Sequence, residues 1–202
     1  MKTRLLTLAM LCAAGMMTAA TAAPATYTLD PDHTHVQFDT DHFGGLSVWR
    51  GLMTKNRGSV TLDKAAGAGS VDVYVDMTSA EIGNAKLEEE LKSNQFFDAT
   101  KYPEAHYQGT LGGFSNGAPT TVTGNLTFHG VTKPVNLKVL SFKCMMHPFY
   151  KKEVCGADVA GTFNRADFGV DYGKAYGFNM DVTLRIQVEG LAADAAAPTK
   201  KQ

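Results

Sequence analysis

Two groups of residues have the types and spacing for chemistry, and each offers more than one kind. Cys144-Met145-Met146-His147 and Cys155, with ten residues between the two cysteines, set thiolate, thioether and imidazole donors close together. That donor set suits a soft metal ion. The same two cysteines suit a disulfide. Between Gly161 and Gly169, Asn164, Arg165 and Asp167 have the polar density of a binding site. They are equally natural turn residues, with Arg165 paired to Asp167 across the turn. Of the six histidines, His33 and His35 lie two apart, on one face of a strand, a usable metal geometry. No third ligand is placed beside them, and Asp30-Pro31-Asp32 reads as well as a turn. There is no Gly-x-Ser-x-Gly elbow, and no carboxylate pair has an arguable geometry. The sequence therefore assigns no catalytic residue, no cofactor and no resident metal, and the chain reads as a non-enzyme.

The compartment decides between thiolate and disulfide. Residues 1–22 have a basic start (Lys2, Arg4), an apolar run from Leu5 to Met17 and the ending Ala20-Thr21-Ala22. This is the pattern of a cleaved secretory signal peptide. Its apolar core is shorter than the ~20 residues that span a bilayer, so no transmembrane anchor is expected. Met10 and Leu11 are too large for lipidation at Cys12. A periplasmic product follows, and in an oxidising compartment two cysteines this close read as a disulfide, Cys144–Cys155. The metal-binding or envelope stress-response reading of that loop is the alternative. Removal of Lys2 and Arg4 leaves 17 basic against 20 acidic residues, a charge near −3. No basic run is dense enough to track a phosphate backbone, so nucleic acid is not an expected partner.

These residues must be carried by strands. Met180, Val182, Leu184, Ile186 and Val188 alternate with five polar residues, the period of a half-buried strand. Val36 and Phe38 form another such face, as do Val71, Val73 and Val75, then Val122, Leu126 and Phe128, then Val135, Leu137 and Val139. Glycine-containing turns at hairpin spacing separate them. One all-β domain is expected over residues 23–190, a single antiparallel sandwich or barrel, with a small polar tail over 191–202 read as disordered. From about 80 to 95 the alternation gives way to Leu87 and Leu91 at i, i+4, with Thr78 and Glu81 as a capping box. This predicts a short amphipathic helix, laid across the open end of a barrel.

Tyr27-Thr28-Leu29-Asp30, His33-Thr34-His35-Val36-Gln37-Phe38 and His42 resemble the opening of the YceI-like family, the lipocalin-like, polyisoprenoid-binding periplasmic proteins. Phe96-Phe97-Asp98 with Tyr102-Pro103, the stretch from Gly124 to Val135, and Phe163 to Val170 resemble later motifs of the same family, in the same order. Members commonly carry Asp-x-His-Leu where this chain has Glu88-Glu89-Glu90-Leu91, so no role for that histidine carries over. The segment holding Cys144 and Cys155 is not general either. The resemblance implies a lipocalin-like barrel with a long apolar tunnel that takes up an isoprenoid chain.

On that reading Val36, Phe38, Val73, Val75, Leu126, Phe128, Val182, Leu184 and Ile186 line the tunnel. His42 is on the inward face by parity with Val36 and Phe38. It is either a head-group contact or a hydrogen-bonded structural histidine. Asn164 and Arg165 are the other head-group candidates. The oligomeric state is open, with a homodimer among the options.

Overall fold

A computed structural model describes residues 23–193. The signal peptide read over 1–22 and the tail beyond residue 193 lie outside the described residues. In chain order the elements are β1 (Ala25–Leu29), β2 (His35–His42), β3 (Ser47–Met53), β4 (Asn56–Asp63), β5 (Ala68–Asp76), β6 (Ala80–Glu81), α1 (Ala85–Lys92) and β7 (Glu104–Gly112). They continue with β8 (Thr121–Phe128), β9 (Val131–Pro134), β10 (Leu137–Met146), β11 (Glu153–Asn164) and β12 (Asp181–Ala192).

Alternating apolar residues give each strand one face to bury, and closing the sheet on itself buries all those faces together. The ring runs β1-β4-β5-β7-β8-β10-β11-β12, and β12 returns to β1 with Tyr27 opposite Ala192 and Leu29 opposite Gly190. The result is a closed eight-stranded antiparallel barrel with one short helix. Closure leaves the ring without a free edge strand, while β2, β3 and β6 extend the sheet beyond it.

The barrel is longer than β1 alone allows, because β1 and β2 act as two halves of one bent strand. β12 pairs with β1 at its far end and with β2 at its start, where Val182 faces Thr40 and Leu184 faces Phe38. The bend between the halves is pinned from inside. Thr34, 1% exposed, donates its hydroxyl to the Glu189 carbonyl at 3.2 Å. The buried Asn56 carboxamide donates to the carbonyls of Thr34 and Met53, each at 2.9 Å. Neighbouring β3 keeps a glycine where the Phe38 ring lies against it. A Cβ on Gly51 would lie 2.2 Å from the Phe38 ring.

Three expectations need correction. The helix is Ala85–Lys92 rather than about 80–95, and Thr78 with Glu81 is not its cap. Asp76 caps a separate 3-10 turn over Met77–Ser79, and Gly83, at φ +78°, breaks the chain before Asn84 caps the helix through Lys86 N and Leu87 N. Residues 191 and 192 belong to the barrel, since Leu191 pairs with Thr28 and with Val154. His33 and His35 do not share a strand face. His33 sits in the bend before β2, its ring 2.9 Å from Asp30 Oδ2.

Candidate functional site

The inward faces do not meet in the middle. They enclose a cavity of about 500 Å³ running along the barrel, within the ~300–1,000 Å³ typical of small-molecule sites. All nine residues assigned to the lining from sequence face it: Val36, Phe38, Val73, Val75, Leu126, Phe128, Val182, Leu184 and Ile186. Phe38, Phe128 and Val182 are themselves buried by neighbours, whereas the other six stay only half-buried within the barrel wall. Met180 precedes β12 and is buried outside the cavity wall.

The two ends differ. At the end reached by Ala192, Tyr27, Leu62 and Cys155 pack together with Leu111 and Phe142 against them. The Tyr27 hydroxyl donates to Glu153 Oε2 at 2.6 Å, and burial pushes its pKa well up, helped by that carboxylate. The opposite end is aromatic. His42 stacks on Trp49 at 4.8 Å and meets Phe43 and Phe178 edge-on at 4.5 and 5.3 Å. Phe97 meets Phe38 and Phe128 in T-shaped contacts at 6.3 and 6.0 Å. Leu87 and Leu91 of α1 face the cavity beside Phe96, so the helix stripe covers this end.

Arg165 supplies the positive charge at this mouth, where Asp41 and Glu90 also line the cavity. It is 6% exposed and lines the cavity. Its guanidinium donates to the carbonyls of Val170 at 2.9 Å and Tyr172 at 2.8 Å, and lies 6.0 Å from the Phe96 ring. Burial pulls its pKa down, opposed by the charges of Asp171 and Asp41. Among the described residues no carboxylate lies within 4 Å of it, so the expected pairing with Asp167 is absent. Asn164, the third head-group candidate, does not reach the cavity. Its Oδ1 caps the next turn through Ala166 N at 3.0 Å, and its Nδ2 donates to Asp181 at 3.0 Å. Asp41 holds the rim together by accepting from the backbone N–H groups of Asn179, Gly44 and Gly45. Those bonds, the one from Asn179 first, hold its pKa below the ordinary value.

Several lining residues were not assigned from the sequence. Trp49 lies directly opposite Thr40, so parity from Val36 and Phe38 would have found it once β3 was placed. Phe43, Tyr172 and Phe178 come from turns, where no periodicity signals direction. Tyr107 also faces inward, its hydroxyl donating to the Val135 carbonyl at 2.9 Å and its pKa pushed up by burial to about 12.

The chain matches the YceI-like domain over residues 27–190. The chain belongs to the YceI-like family. It is 33% identical to Protein YceI of Shigella flexneri over 181 residues, 87% of this chain and 92% of that protein. A UPF0312 protein of Pseudomonas aeruginosa is 32% identical over 183 residues, with the same coverage. Among solved structures, Burkholderia cenocepacia BcnA superposes with a TM-score of 0.63 at 20% identity, covering 80% of this chain and 98% of that one. A polyisoprenoid binding domain from Saccharophagus degradans superposes at 0.59 and 15% identity, covering 85% of this chain and all of that one. These likenesses confirm the barrel.

Outside the cavity mouth, the other candidate chemistry resolves differently. Cys144, Glu153 and Cys155 place potential ligand atoms within 4.8 Å of one another. Cys144 and Cys155 are joined as a disulfide, however, directly across β10 and β11. Both thiolates are thereby consumed, and His147 Nδ1 accepts from the N–H groups of Phe149 and Tyr150.

Proposed function

We propose that this protein binds and carries a long apolar lipid of isoprenoid type in the bacterial periplasm, without transforming it. The tail occupies the tunnel, and the head sits at the His42–Arg165 mouth. The observation that carries this reading is the half-buried state of Val73, Leu126, Leu184 and Ile186 inside a closed barrel. In a close-packed core such side chains would be covered by each other. Here their open surface faces a cavity that only a removable apolar group can cover. Each methylene buried there contributes about 0.8 kcal/mol of gross driving force, most of it offset by ordering costs. Arg165 adds selectivity, because a guanidinium whose direct hydrogen bonds go to backbone carbonyls attracts an acidic or hydrogen-bond-accepting head group. The polyisoprenoid binding described for the Saccharophagus degradans domain supports the same class of ligand.

Periplasmic residence is supported by the signal peptide pattern at residues 1–22 and by the disulfide, which persists in oxidising compartments. Among the described residues no helix is long and apolar enough to cross a membrane. Binding is tested by mass spectrometry of an organic extract of protein purified from the envelope. The expected result is one dominant isoprenoid-type lipid, near one per chain. An extract with no lipid above background, from protein that also fails to take up a fluorescent isoprenoid, overturns the reading.

A further inference from the structure

The tip of the β10–β11 hairpin is left unexplained by the tunnel. It lies at the end of the barrel opposite the mouth, since Met146 pairs with Glu153 where β12 ends. Within a few residues it exposes Met145 (48%), Met146 (62%), Phe149 (84%) and Tyr150 (61%). The turn that displays them is well organised. His147 N donates to Lys152 O at 2.7 Å, Lys151 N donates to His147 O at 3.1 Å, and the His147 ring stacks on Tyr150 at 4.5 Å. The Cys144–Cys155 disulfide fixes the base of the same hairpin. None of this buries the apolar side chains; it holds them outward.

Charge says what they face. Between residues 143 and 153 stand Lys143, Lys151, Lys152 and a single carboxylate, Glu153. That carboxylate is engaged by Lys64 Nζ and the Tyr27 hydroxyl, each at 2.6 Å. The exposed apolar rim at the mouth is mixed in charge, with Asp167 and Asp171 exposed beside it as well as Lys174 and Arg50. Basic residues interleaved with exposed aromatics suit the interface of an anionic bilayer, where the rings sit at head-group level and the lysines meet lipid charge.

We propose that the β10–β11 tip is a membrane-docking element that seats the protein on anionic phospholipid, with Phe149 and Tyr150 inserted and Lys143 and Lys151 on the head groups. The barrel mouth then points away from the surface. Because the tip is held rigid before contact, little ordering cost opposes docking. The proposal does not rest on the cargo of the tunnel.

Vesicle flotation tests it, using equal parts phosphatidylglycerol and phosphatidylcholine against phosphatidylcholine alone. The protein should float with the anionic vesicles only, and binding should fall at least tenfold in about 1 M salt, where the Debye length is ~3 Å. Two double variants, Phe149→Ser/Tyr150→Ser and Lys143→Glu/Lys151→Glu, should each weaken partitioning by about tenfold or more. Both should keep the wild-type melting temperature and lipid uptake, because these side chains are exposed and far from the mouth. No flotation with anionic vesicles overturns the proposal, as does full binding by either double variant. A dimer that Phe149→Ser abolishes, without vesicle binding, assigns the tip to a second copy of the chain and overturns it equally.

Discussion

Arg165 is where residue-scale physics presses hardest on the mouth. Its charge is buried, and its hydrogen bonds hold the loop from Val170 to Tyr172 against the cavity. Arg165→Met keeps most of the volume but leaves two carbonyls without donors, which costs about 1–3 kcal/mol for a buried group. Thermal denaturation should show that loss. Affinity for an acidic-headed isoprenoid should fall about tenfold or more, while a headless hydrocarbon of the same length binds as before. Equal loss for both ligands would make Arg165 structural only. Asp41 acts at the same rim through three backbone N–H groups. Its folded pKa lies below the ordinary 3.8, so its contribution is complete above that value and is lost as pH falls through the folded pKa. Asp41→Asn should therefore flatten the acid limb of a melting-temperature profile and leave the slope near pH 7 unchanged. An unchanged acid limb would count against the Asp41 tie. His42 was legible from parity, and so was its inward aim. Its clamp by Phe43 and Phe178 was not, because both come from turns whose direction has no period.

At the scale of elements, strands were readable because a side-chain period of two leaves little choice of face. The row Val182, Leu184, Ile186 and Val188 lies on the inward face of β12. The helix was readable as an element but not in its limits. Thr78 with Glu81 has the letters of a capping box, yet Asp76 and Asn84 offer better-placed acceptors, and Gly83 between them ends one segment before the next begins. The β10–β11 hairpin could be read two ways, and pairing of its cysteines directly across the strands decided it. Closing a loop of this length stabilises by about 3 kcal/mol on the chain-entropy model. Cys144→Ser/Cys155→Ser should lower stability by about that amount in denaturant titration. Thiol titration of unfolded, unreduced wild type should find neither cysteine free. Reactive thiols in that assay would reopen the metal reading.

At the scale of the whole molecule, the sequence leaves one matter open that matters most. Alternation says which residues point inward, and says nothing about whether they meet. A packed barrel and a hollow one can carry the same pattern, because both want Val, Leu, Ile and Phe inside. Eight strands sit near the boundary, wide enough either to be filled by side chains or to hold one small ligand. Which outcome applies depends on the sum of side-chain volumes around the ring, including glycines such as Gly161, directly across from Leu184. From Val182 to Gly190, β12 runs roughly 26 Å at 3.3 Å per residue, with its inward face on the cavity throughout. Leu184→Trp separates the two outcomes. In the hollow barrel the indole enters ligand volume, so the variant should melt close to delipidated wild type while uptake of a fluorescent isoprenoid falls sharply. Where this stretch is filled, the same ring is overpacking, which costs about 1–3 kcal/mol and leaves any uptake elsewhere in the barrel untouched. A Leu184→Trp protein that melts clearly earlier and binds the probe unchanged would show that this stretch of the wall encloses packed side chains rather than cargo.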